Sequence, residues 1–94
     1  MTIYILYSPK KDIFYIGNCE DLKVRMTLHQ SHACSRKFIS LANDWQIHLK
    51  IEHLGFHQAG HIEHHLRRMK SHKLMTDLAR YPEMVKRLCR KYQE

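Results

Sequence analysis

No stretch of this 94-residue chain carries more than five apolar residues in a row. The longest run, Ile3 to Tyr7, falls far short of the roughly 20 residues that span a bilayer. No basic-then-apolar leader precedes it, so the expectation is a soluble, cytoplasmic protein with no membrane partner. Cysteine is sparse and poorly placed for cross-linking. Cys19, Cys34 and Cys89 are odd in number, widely spaced and without a C-x-x-C, which fits neither a disulfide framework nor a zinc knuckle, and they read as reduced thiols. Repeats, linkers and low-complexity tracts are also missing, which leaves one compact domain as the expected organisation.

Acidic residues are few. Nine Asp and Glu stand against 16 Lys and Arg, a formal net charge of +7, while a 44% share of hydrophobic residues argues against disorder. The excess is uneven: residues 1–60 carry net +2 and residues 61–94 carry net +5. A basic surplus on a small domain favours polyanions, nucleic acid foremost, although a solvated helical surface produces similar clusters.

From Thr2 to Ser8 both alternations are apolar, β-branched or aromatic, the pattern of a central strand covered on two faces. Pro9 to Asp12 supplies turn chemistry and Ile13 to Ile16 reads as the return strand of a hairpin, ended by Gly17. Asn18 or Asp21 can cap a following helix to about His32, with Leu22 and Met26 as its apolar row. Residues 33–44 lack a period and read as a loop, with one helical turn around Phe38 to Leu41 as an option. Trp45, Ile47, Leu49 and Ile51 then alternate with polar residues, predicting a half-buried strand at a sheet edge or with one solvated face. Ala59, Ile62, Leu66 and Met69 recur at intervals of three and four, the stripe of an amphipathic helix. A short helix carrying Leu74, Met75 and Leu78 ends at Tyr81-Pro82, and a last helix carries Val85, Leu88 and Tyr92. The expected fold is therefore α/β in the α+β sense, a small three-stranded antiparallel sheet flanked by helices. Its core covers about residues 2–73, and a helical extension over 74–94 completes that core.

The polar residues attached to this frame form a chemically coherent set: Tyr4 and Tyr15 on paired strands, Arg25 and His29 four apart on one helix face, and Glu63 on the second long helix. They comprise a metal-capable carboxylate, a permanently cationic phosphate ligand and two kinds of proton carrier, the parts that metal-assisted phosphodiester hydrolysis requires. Thr2-Ile3-Tyr4, ten residues, then Tyr15-Ile16-Gly17, with Arg25 eight residues later, His29 four further on and a late helical Glu63, resembles the signature of the GIY-YIG nuclease superfamily. The likeness spans roughly residues 2–73 and is closest to small single-domain members. Thr2 stands where the first triplet carries glycine, and no asparagine follows Glu63.

That resemblance implies a metal-dependent DNA endonuclease using one divalent ion, Mg²⁺ or Mn²⁺, held by Glu63. It further implies that Tyr4 helps deprotonate the attacking water, with Tyr15 hydrogen-bonded beside it and His29 relaying protons, and that Arg25 stabilises the charge that builds on the phosphate. An unperturbed phenol loses its proton only near pH 10, so Tyr4 acts as a base at neutral pH only if the metal, Arg25 or a bound ion depresses its pKa or takes up its proton. Arg67, Arg68, Lys70 and Lys73 are candidates to track a DNA backbone beside Glu63. No separate DNA-reading segment is evident, so specificity would come from substrate shape, a homodimer or a partner protein.

Two other readings stand beside this one. The same fold can serve as a catalytically weak or inactive nucleic-acid-binding module. Alternatively, the nine histidines, with His57, His61 and His65 at intervals of four, suggest a zinc-dependent interaction domain, or a cluster that charges below about pH 6.5 and adds to DNA affinity.

Overall fold

The computed structural model describes residues 1–30, 42–69 and 71–93, the side chains of residues 28–30 excepted. The chain is α+β: a three-stranded antiparallel sheet in the order β2-β1-β3, with four helices among the described residues. The strands are β1 (Thr2–Ser8), β2 (Ile13–Cys19) and β3 (Gln46–Ile51). The helices are α1 (Leu22–Gln30), α2 (Phe56–Met69), α3 (His72–Arg80) and α4 (Pro82–Lys91).

Strand β1 is central because its side chains are apolar in both directions. Ile3 and Ile5 point to one face and Tyr4 and Leu6 to the other, all fully buried. Ile3 and Ile5 pack with Ala59, Ile62 and Leu66 of α2, Met75 and Leu78 of α3 and Leu88 of α4. Tyr4 and Leu6 pack with Tyr15 and Cys19, covered by Leu22 and Met26 of α1 and by Trp45. The sheet is thus enclosed between α1 on one side and α2, α3 and α4 on the other, the covering a strand apolar on both faces requires.

Local chemistry fixes each element. Asp12 turns the hairpin in the left-handed region (φ 53°), where aspartate is tolerated, and its N–H donates to the Ser8 carbonyl at 2.7 Å. Buried Ser8 donates its hydroxyl to Asp44 at 2.6 Å, and Asp44 also accepts from the Lys10 N–H, so the turn is tied to the segment that delivers Trp45. These two bonds hold the Asp44 carboxyl below its ordinary pKa. Asp21, not Asn18, caps α1: its Oδ1 accepts from the Lys23 and Val24 N–H groups. Ser71 caps α3 by accepting from Leu74, and Pro82 opens α4, where its missing N–H costs nothing.

Three expectations are corrected. Strand β2 does not end at Gly17 but runs to Cys19, because Gly17, Asn18 and Cys19 continue the ladder opposite Tyr4, Ile3 and Thr2. Trp45, Ile47, Leu49 and Ile51 do not share a face. A register irregularity pairs Ile5 with Leu49 but Leu6 with Ile47, leaving His48 as an extra residue, and side chains on either side of such a bulge turn to opposite faces. Leu49 and Ile51 accordingly join the α2 side and Trp45 the α1 side, while Ile47 is half-exposed. Met69 lies off the buried stripe of α2 and is 50% exposed. The expected loop and helical turn over residues 33–41 fall outside the described residues. No described helix is long and apolar enough to cross a membrane.

The histidines of α2 meet the last helix. His65 Nδ1 lies 2.8 Å from the Tyr92 hydroxyl, and His61 stacks on the Tyr92 ring at 6.0 Å. Burial, then Lys91 and Arg68, depress the His65 pKa below its ordinary value. The unfolded chain therefore takes up the His65 proton first as pH falls, so this residue withdraws stability below about pH 6.5. The melting temperature is expected to fall between pH 7.5 and 5.5, and by less in His65→Gln, as thermal denaturation at the two pH values will measure.

Candidate functional site

Strand β1 aims Tyr4 at the α1 side, directly across from Gly17 of β2. A Cβ at Gly17 would fall on the Tyr4 phenol, so the absent side chain makes the space in which the Tyr4 hydroxyl lies. Tyr15, two residues earlier and on the same face, places its ring centroid 6.1 Å from that of Tyr4, and the two phenols share a hydrogen bond. Trp45 closes the far side of Tyr15 at 6.3 Å.

Helix α1 brings in Arg25. Leu22 and Met26 anchor the helix to this face, and Arg25, three residues after Leu22, shares their side. Its cation acts on both the Tyr4 hydroxyl and the Cys19 thiol, favouring the charged form of each. Burial prevails for both groups, with Tyr15 adding to it for Tyr4, and the pKa of each is raised. Burial thus favours the protonated form of the Tyr4 hydroxyl. Cys19 is a buried thiol for the same reason and not an activated nucleophile.

Glu63 approaches the same stretch of β2 from the other layer. Its Oε2 lies 4.0 Å from Arg67 Nη2, which donates to the Ile16 carbonyl at 2.7 Å. Ile16 is the residue before Gly17, so Tyr4 from the α1 side and the Glu63–Arg67 pair from the α2 side converge on two adjacent peptides. The pair is long and half-exposed, the kind that contributes about 0–1 kcal/mol, so Glu63 remains free to take a cation. Among the described residues, Arg67 is its only ionic partner.

Asn18, the next residue along β2, was missed as a site candidate and read as a helix cap. It pairs with Ile3, on the α2 side, and its buried Oδ1 has no hydrogen-bond partner among the described residues. A buried acceptor left unpaired costs about 1–3 kcal/mol. The alternation of β2 beyond Gly17 is the signal that would have found it. Glu63 and Asn18 are hard oxygen donors on one side of the sheet, few in number, as suits a small divalent cation that keeps most of its water. A zinc site needs more: no group of three or more His, Cys, Asp or Glu is placed to hold a metal among the described residues. His61 and His65 are instead occupied with Tyr92.

The remaining candidates divide. The His29 side chain and Lys70 lie outside what the structure describes. Arg67 faces β2, whereas Arg68 acts on His65 toward α4, so the two do not share one face. Lys73 is exposed on α3.

Gly17→Ala is expected to destabilise the fold by about 1–3 kcal/mol through overpacking against Tyr4. Tyr4→Leu in the same chain is expected to return part of the loss, a non-additivity that denaturant melts of the two single variants and the double variant will show. Comparison of the chain with family models, with curated proteins and with solved structures yields no match.

Proposed function

We propose that this domain is a GIY-YIG-type endonuclease that hydrolyses DNA phosphodiester bonds with one Mg²⁺ or Mn²⁺ ion. The observation that carries the reading is that Tyr4, Tyr15 and Arg25 gather on one side of β2 while Arg67, the ion-pair partner of Glu63, bonds the Ile16 carbonyl from the other. Tyr4, Tyr15, Arg25 and Glu63 come from β1, β2, α1 and α2, and their types are those that phosphoryl chemistry uses.

Glu63 would hold the cation, with Asn18 Oδ1 as a second oxygen donor on the same side of the sheet, and the cation when bound supplies Lewis-acid polarisation of the phosphate and neutralises the leaving oxygen. Arg25 presents a planar cation to the two non-bridging oxygens as charge builds on them. Tyr4, protonated at neutral pH, orients the attacking water or donates to a phosphoryl oxygen, and Tyr15 fixes its hydroxyl. For Tyr4 to act instead as the base that the resemblance implies, the cation or Arg25 would have to offset the burial that raises its pKa. His29 is the remaining proton carrier of the set.

Arg67 and Lys73 would meet the DNA backbone near the cut. Arg67→Ala with Lys73→Ala is expected to lower the slope of log K against log salt by about 0.9 per lost contact, while Arg68→Ala leaves it near the wild-type value. Equal slopes in all three proteins would make that surface merely solvated.

The second reading, a non-catalytic nucleic-acid-binding module, draws support from the raised Tyr4 pKa. Incubating nicked, branched, single-stranded and duplex DNAs with Mg²⁺ or Mn²⁺ separates the two. Cleavage of at least one is expected, and binding without cleavage of any would select the module.

A further inference from the structure

Between β2, the end of α2 and the start of α3 lies a groove of about 600 Å³, within the roughly 300–1,000 Å³ typical of ligand pockets. Its wall is apolar: Phe14 and Ile16 from β2, Leu66 from α2 and Met75 from α3. Phe14 belongs to an aromatic group, with His72 edge-on at 4.8 Å, His48 at 4.9 Å and Tyr7 at 4.7 Å. Arg67 stands on the rim, the same residue that pairs with Glu63. Both of its contacts, to Ile16 and to Glu63, use Nη2, so Nη1 and Nε are uncommitted among the described residues.

Groove and proposed cation site therefore share one residue. We propose that the groove receives a single unstacked nucleobase of the DNA strand engaged at Glu63, so that the substrates of this domain are DNAs with an extrahelical or unpaired nucleotide. The inference rests on the DNA reading and narrows its substrate class. A base offers a flat apolar face to Phe14 while its own phosphate lies toward the Arg67 guanidinium, a combination of aromatic surface and cation that suits a nucleotide.

An added peptide strand is the competing occupant, since β2 is an edge strand. The edge is partly occupied against it: Arg67 donates to the Ile16 carbonyl of β2, and His72 Nε2 lies 3.0 Å from the Asp12 carbonyl in the turn just before the strand. Side chains that cap edge carbonyls remove the groups an incoming strand would pair with. The one carboxylate at the groove among the described residues, Asp12, accepts from the Tyr7 hydroxyl at 2.6 Å and stands 3.8 Å from His72, just before the end of β2 opposite Gly17.

The test removes the base from the DNA rather than a side chain from the protein. A duplex with one bulged nucleotide, either 2-aminopurine or an abasic residue, is titrated with the wild-type protein in Ca²⁺ so that binding is read without turnover. The expected result is about 5- to 150-fold tighter binding of the base-bearing bulge, the affinity equivalent of the roughly 1–3 kcal/mol that a stacked base contributes. Quenching of 2-aminopurine emission should accompany it. Phe14→Leu, which keeps apolar bulk, should erase the difference, and Phe14→Trp, which keeps a ring, should preserve it. Equal affinity for the two bulges overturns the inference, as does an unquenched probe or a preference that Phe14→Leu leaves intact. Cleavage is scored separately in Mg²⁺: base-dependent binding without cleavage would end the nuclease reading alone, and cleavage indifferent to the base would end this inference alone.

Discussion

Glu63→Gln is expected to bind DNA as the wild type does, to melt at nearly the wild-type temperature, and to cut nothing. Gln keeps the shape of the side chain and loses the negative charge that holds a hard cation. The fold does not lean on that charge. Glu63 has one ionic partner among the described residues, Arg67 at 4.0 Å, with both side chains partly exposed. Losing such a pair changes stability by about 0–1 kcal/mol. Thermal melts, DNA binding in Ca²⁺ and cleavage in Mg²⁺ read the three consequences independently. Unaltered turnover would remove Glu63 from the mechanism.

Arg25→Lys is expected to lower the cleavage rate by about 10²- to 10³-fold, the usual cost of losing a well-placed transition-state donor. Lysine preserves the charge but not the planar fork that reaches two phosphoryl oxygens together. A contact made only to the ground-state phosphate behaves differently, since there a point charge suffices and Lys recovers most of the affinity lost in Arg25→Ala. Single-turnover rates at saturating protein, compared with affinity in Ca²⁺, discriminate the two. A Lys variant cutting at the wild-type rate would end the transition-state role. Because the Arg25 cation also acts on Tyr4 and Cys19, the Ala variant should raise both of their pKa values further.

Period and cap chemistry made most of the fold legible. Apolar alternation in both registers marked Thr2–Ser8 as the buried centre of the sheet, and it is. The stripe of Ala59, Ile62 and Leu66 marked the face that α2 buries. Strand β3 misled because one extra residue at His48 divides a regular alternation between two faces, and a bulge leaves no trace in a period-two count. Gly17 misled for the opposite reason. It looked like a terminator, yet it sits inside β2 where the phenol of Tyr4 needs the room.

The chemistry was legible in part. The resemblance to a family signature singled out Tyr4, Tyr15 and Arg25, which the fold brings together. It could not reveal that burial keeps Tyr4 protonated, because that depends on Leu6, Cys19, Leu22 and Met26 closing around it. Nor could it place Arg67 and Arg68, adjacent in sequence, on different sides of α2. The groove was invisible for a plainer reason: Phe14 and Met75 meet only after α3 folds back onto the sheet. Nine histidines suggested metal, whereas His61 and His65 spend their rings on Tyr92 and His72 spends its ring on Phe14 and the Asp12 carbonyl.

In the function proposed above, the Ile16–Gly17 stretch of β2 is where a phosphodiester is broken. Its most direct test is single-turnover cleavage of end-labelled DNA by wild-type and Glu63→Gln proteins side by side, in Mg²⁺ and again with Mg²⁺ chelated. Cleavage by the wild type in Mg²⁺ alone, none by Glu63→Gln, and equal DNA binding by both in Ca²⁺ are expected of that function. Equal cleavage by the two proteins, or binding by the wild type with no cleavage of any DNA in either Mg²⁺ or Mn²⁺, would contradict it.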